Sequence, residues 1–167
     1  MKKHIVDLRI IISWIAAFIW MAVIFFFSAQ PAVASDGLSK GFMLVIIKAV
    51  SWIYPLDVES STTQDWIDQF NGAFRECAHA AAFFILALLV YNALRRTGFK
   101  GLKAFFTVLV FCALYAVSDE IHQIFVPGRA CEMTDFVSDC FGILMGLILY
   151  NAISLAFNKR RLTNRIL

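Results

Sequence analysis

Two short stretches place an acid three residues before a histidine, Glu76-x-x-His79 and Asp119-x-x-His122, and a third sets two acids four apart, Asp135 and Asp139. On a helix each of these spacings puts its members on one face. Carboxylate with neutral imidazole suits zinc, manganese or iron, and bundle-core dimetal sites use Glu-x-x-His on two helices with carboxylates from the others. Such a metal would activate water for hydrolysis or transfer at a phosphate or an amide. Without metal, His122 paired to Asp119 is a general-base candidate. Glu120 points about 100° away from Asp119 on the same helix. The run continues as "SDEIHQIFVPGR", Ser118 to Arg129. Pro127 ends the helix and Gly128 permits a positive φ, so the chain can reverse and hold Arg129 over the helix ends. A planar guanidinium there takes a carboxylate or phosphate through two parallel hydrogen bonds, or pairs internally with Asp119 or Asp135.

The elements that carry these groups follow from composition. The 167 residues are 60% hydrophobic and 16% charged, with 17 Phe and a mean hydropathy of +0.74, which makes the chain an integral membrane protein of one domain, residues 1–167. Ile10 to Phe27 runs 18 residues without a charge, close to the ~20 that cross a ~30 Å hydrocarbon core. It reads as an uncleaved span rather than a signal peptide, because no small-residue cleavage site follows. Three more spans follow, at about 74–94, 104–121 and 136–157. The predicted fold class is therefore all-α: four transmembrane helices in an antiparallel bundle. In the fourth span Gly142 and Gly146 are four apart, a spacing that lets a neighbouring helix approach closely, and homo-oligomerisation through this helix is one use for it.

Charge sets the orientation. With the N-terminus inside, the cytoplasmic segments hold Lys2, Lys3 and Arg9; Arg95, Arg96, Lys100 and Lys103; and Lys159, Arg160, Arg161 and Arg165, which is 11 of the 15 basic residues. That places the protein in the cell membrane as a multi-pass chain with both termini cytoplasmic. The outer segment 28–73 reads as a loop containing one short helix, about 42–54, interrupted by Lys48 and too short to span. It is either interfacial or re-entrant, with Trp52 and Tyr54 at headgroup depth, or it lies over the outer end of the bundle. Cys112 reads as packing. Cys77, Cys131 and Cys140 fall near the outer face, where a disulfide is an option, and sequence chooses no pair.

This topology brings four helix ends to the outer face, and the polar residues cluster there: Ser28 and Gln30; Arg75, Glu76 and His79; Asp119, Glu120, His122 and Gln123; Asp135 and Asp139. Ionisable groups at mid-depth cost roughly 2.5 to 3.5 kcal/mol each, so they normally face a protein or water-filled interior. Asp119, Glu120, His122, Glu76 and His79 are the acid–base candidates. Arg129, Gln123, Arg75, Gln30, Ser28, Asp135 and Asp139 are the ligand-binding candidates.

At these residues the sequence resembles the VanZ-like family of small membrane proteins. The shared pieces are "FSAQP" at Phe27 to Pro31, R-E-x-x-H at Arg75, Glu76 and His79, "SDEIHQIFVPGR", and D-x-x-x-D-x-x-G-x-x-x-G from Asp135 to Gly146. The resemblance implies a role at the cell envelope and in susceptibility to teicoplanin and related glycopeptide or lipoglycopeptide drugs, but no reaction. Two departures stand out. Asp139 replaces the Asn usual in the family, and Phe83 and Phe84 stand where an aromatic with a hydroxyl is common.

The first functional expectation is an outward polar pocket that binds or modifies a lipid headgroup or cell-wall precursor. A metal-dependent hydrolase or transferase using the Glu76/His79 and Asp119/His122 pairs is the less favoured alternative, with a divalent metal as its cofactor. A structural or partner-binding role is the third. No nucleic-acid partner is expected, and a transporter is disfavoured because the charges gather at one face.

Overall fold

The computed structural model describes residues 7–54, 57–58 and 60–166, with side chains to residue 156. Lys2 and Lys3, and the side chains of Lys159, Arg160, Arg161 and Arg165, lie outside the described residues. Five helices follow in order: α1 Leu8–Ser28, α2 Ala32–Ser51, α3 Ser61–Arg96, α4 Gly101–Gln123 and α5 Met133–Ile166. The fold is all-α and polytopic, and α1, α3, α4 and the Met133–Ala156 part of α5 are each long and apolar enough to span a bilayer.

Helix α1 starts at Asp7, whose carboxylate accepts from the Arg9 backbone N–H at 3.0 Å. Its buried residues are Ser13, Ala17, Ile24 and Ser28, one narrow stripe, while Ile12, Phe18 and Phe26 point outward. That is the pattern of a helix whose solvent is lipid. Pro31 stands at the N-cap of α2, a position that needs no N–H from it, so the proline both stops α1 and starts α2.

The segment 28–73 differs from the sequence expectation of a loop with one short helix. Helix α2 has 20 residues instead of 13, with Gly37 and Gly41 inside it. Helix α3 begins at Ser61, 13 residues before the predicted start, with Ser60 accepting from the Thr63 N–H at 3.2 Å as its cap. Both glycines face open space, so they cost α2 only propensity, and α2 recovers stability by docking on α3. Lys40 Nζ lies 2.7 Å from Asp68 and 3.1 Å from Asp36. Ser39 Oγ donates to Asn71 at 2.5 Å, and the Asn71 amide donates to Asp36.

Helix α3 is the hub and packs against each of the other four. Its 36 residues span about 54 Å, well beyond a ~30 Å core, so its first turns project past the apolar region together with α2. Phe83, Leu86, Ala87, Val90 and Tyr91 form its buried face. Ala104, Val108, Cys112 and Ala116, four apart on α4, and Ile143 and Leu147 on α5 close over it. Interhelical hydrogen bonds add directional glue where lipid is as apolar as the core. Trp20 Nε1 donates to the Ala82 carbonyl at 2.8 Å, Tyr115 Oη to the Met21 carbonyl at 2.7 Å, and Tyr91 Oη to Asn151 at 2.9 Å.

Gly142 and Gly146 do bring a neighbour close, and that neighbour is α3 of the same chain. A Cβ on Gly142 would fall 2.0 Å from the Ala80 carbonyl oxygen, and one on Gly146 2.7 Å from that of Phe84. The stripe that the sequence offered to a second copy is therefore already filled. All four cysteines are free thiols.

Candidate functional site

At one end of the bundle the last turns of α1 and α4 meet the first turns of α5 and the middle of α3. The α1–α4 seam is polar: Gln123, 1% exposed, donates through Nε2 to Ser28 Oγ and to Asp119 Oδ2, each at 3.2 Å. Asp119 is 3% exposed, so the bridging amide gives the carboxylate a donor inside the protein.

One turn is enough to aim Arg129. Val126 N–H bonds the Gln123 carbonyl, Gly128 takes φ +77°, and Arg129 N–H bonds the Val126 carbonyl. The Pro127 carbonyl accepts from the Ala32 N–H at 3.1 Å, which ties this turn to the start of α2. Arg129 Nε donates to the Gln30 carbonyl at 3.0 Å, so Gln30 contributes its backbone while its amide folds back on the Phe26 carbonyl. On the opposite side of the turn, Glu120 Oε2 accepts from the Glu132 N–H at 3.0 Å, and Oε1 is buried without a partner.

The α3–α5 seam carries the acid–histidine pair, and it joins two helices. His79 Nδ1 lies 3.6 Å from Asp139 Oδ1, an ion-pair separation beyond hydrogen-bond length. The Asp139 side chain is fully buried, and neither carboxylate oxygen has a hydrogen-bond partner. Asp135, one turn earlier, is also buried.

The within-helix pairs expected from spacing do not form. Glu76 is exposed and bonds neither His79 nor the acids. His122 stacks on Phe25 with ring centroids 4.5 Å apart, and its buried Nε2 has no partner; it does not pair with Asp119. The i, i+3 spacing places residues on one side of a helix but does not fix which neighbour that side meets. Among the described residues no group of three or more His, Cys, Asp or Glu is arranged to hold a metal ion.

The cations are the other half of the site. Arg75 and Arg129 both line a cavity of about 390 Å³ between α1, α2 and α3, together with His79 and Ser28. Arg75 Nε and Arg129 Nη1 are buried with no hydrogen-bond partner, and neither arginine forms an ion pair among the described residues. Burial, and then the charge of Arg75, push the Arg129 guanidinium below its ordinary value. Two guanidiniums lining one cavity with unused donors are complementary to an anion. Sequence reasoning named both arginines but missed the rest of this cavity, which is made by Trp20 on α1, Phe42 on α2 and Ala78, Ala81 and Ala82 on α3. The alanine run "AHAAA" after Arg75 was the available signal, since small residues on one face leave room beside a helix.

A helical membrane bundle with buried carboxylates, a half-buried histidine and two half-buried arginines gathered at one end defines the class. Within it, the VanZ/LLP1 family model matches residues 13–155, and the chain belongs to that family. No curated protein and no solved structure matches the chain.

Proposed function

We propose that this end of the bundle is an outward-facing receptor for the anionic headgroup of an envelope lipid or cell-wall precursor, and that occupying or modifying that group lowers susceptibility to teicoplanin and lipoglycopeptides. The observation that carries the reading is the arginine pair. Arg75 and Arg129 hold buried, unpartnered donors at one cavity, although four buried acids lie on the neighbouring helix ends. Leaving a buried charged donor unused is costly, and an incoming phosphate or carboxylate removes that cost. The excess of basic residues in the opposite segments supports cytoplasmic termini and an outward site.

A second reading, metal-independent acid–base chemistry on the bound group, is favoured by His79, which lines the same cavity and is oriented by Asp139. The first reading is tested by expressing the protein in a teicoplanin-susceptible host and comparing wild type with Arg129→Ala, Arg129→Lys and Asp119→Ala at matched membrane abundance, and the second by adding His79→Gln to the comparison. Tolerance is expected to vanish in both alanine variants and to recover in part with lysine, which keeps the charge but not the fork. Undiminished tolerance in properly inserted alanine variants overturns the proposal and favours a structural role.

A further inference from the structure

The cavity is longer than a headgroup needs. On α3 its lining runs from Phe74 through Arg75, His79 and Ala82 to Ile85, one face of the helix and about 16 Å of rise. On α1 it runs from Ser28 and Phe27 through Ile24 to Trp20, again one face. Both stripes are graded alike. The charged and hydroxyl groups sit at the Arg75 end, and everything toward Trp20 and Ile85 is apolar. The deep end is closed by Trp20, whose indole N–H is spent on the Ala82 carbonyl at 2.8 Å, so the ring presents only carbon to the cavity. Ala78 and Ala81 are exposed, which leaves the track open at its side within a membrane-spanning helix.

We infer that the occupant is a phosphate-headed membrane lipid, its phosphate held between Arg75 and Arg129 and one hydrocarbon chain laid along the α1–α3 track to Trp20. This deepens the headgroup reading and rests on it. A soluble anion would use the arginines alone and gain nothing from an apolar channel; a zwitterionic or cationic head would meet two guanidiniums. A phosphate monoester brings up to two negative charges to two forks, and a chain entering from the bilayer exchanges lipid contacts for protein contacts without crossing water. His79, between the arginine end and the alanines, then lies beside the bond joining phosphate to chain.

Trp20 is the reporter for this arrangement. In a background with Trp14, Trp52 and Trp66 replaced by Phe, the full chain in lipid nanodiscs is titrated with hexadecyl phosphate brominated near its chain end. Brominated hexadecyl trimethylammonium is the control for plain partitioning. Butyl phosphate binding is followed separately by phosphorus NMR. The expected result is saturable quenching of Trp20 by the phosphate, at least about tenfold weaker for the ammonium. Ala78→Leu with Ala81→Leu fills the track and is expected to weaken the long-chain phosphate about tenfold while butyl phosphate binds as before. Quenching that is linear overturns the chain track, and saturable quenching alike for both heads overturns the phosphate assignment. If butyl and hexadecyl phosphate bind equally and the leucines change neither, the track also falls but the headgroup site stands. If folded wild type binds neither phosphate, both fall.

Discussion

His79 on α3 and Asp139 on α5 face each other with Nδ1 3.6 Å from Oδ1, the one acid–histidine ion pair among the described residues. It lies one turn from the place where Gly142 lets α5 touch the α3 backbone at Ala80. The close approach and the pair are therefore one arrangement: the glycine sets the helix separation, and that separation sets the distance between imidazole and carboxylate.

Removing one partner of this buried pair is expected to hurt more than removing both. His79→Ala leaves Asp139 buried beside other acids with no cationic partner and should cost about 3 kcal/mol or more, whereas Asp139→Asn, which removes the buried charge, should cost much less. The double variant is expected to be more stable than His79→Ala alone. Thermal unfolding in detergent of the four members of this cycle checks the ordering.

Glycine position decides the sign of a substitution here. Gly142→Ala is expected to destabilise by more than the ~1 to 3 kcal/mol typical of overpacking, because the clash is with backbone. Gly37→Ala and Gly41→Ala meet nothing within 4 Å in α2 and should gain ~0.5 to 1 kcal/mol each. Melting temperatures of the three proteins give the comparison directly.

Gly128→Ala tests the aim of Arg129 without touching its charge. The residue takes φ +77°, and an added Cβ meets the Ala32 Cβ at 3.1 Å, so about 1 to 2 kcal/mol of strain is expected. The turn must shift to relieve it. Anion binding should fall further than stability does, and a variant that loses stability but binds butyl phosphate as wild type does contradicts this reading of the turn.

The clasp between α2 and α3 should titrate only in strong base. Hydrogen bonds to Asp68 and then Asp36 raise Lys40 above its usual 10.5. A cation whose folded value is raised contributes fully below 10.5, and its contribution is lost as pH climbs through the raised value. Spin labels at exposed Val45 and Gln64 are expected to hold one distance up to about pH 10.5 and to spread above it. In Lys40→Met the step should be absent.

What the sequence made legible was decided by how local each signal is. Ile10 to Phe27 has no competing reading, and Pro31 marks a boundary by itself, so the four spans and the break after α1 could be read directly. The polar turns of α3 before Phe74 and the glycines of α2 carry weak local signals, and their helices are stabilised by Lys40, Asp68, Ser39 and Asn71 reaching across. The site shows the same division. Its members were recognisable as polar residues at helix ends, yet their partners were not, because spacing within α3 suggested Glu76 for His79 while packing supplied Asp139. The cavity was hidden for a different reason: it is made by what alanines lack.

The contact of Gly142 with Ala80 falls near the middle of α3, with about 28 Å of helix toward Ser61 and about 24 Å toward Arg96. The half toward Arg96 carries the buried face from Phe83 to Leu94, whereas the half toward Ser61 is fastened by α2 through Lys40 and Ser39. One continuous helix therefore serves two masters, as the spine of the membrane bundle and as the post on which the α2 clasp hangs.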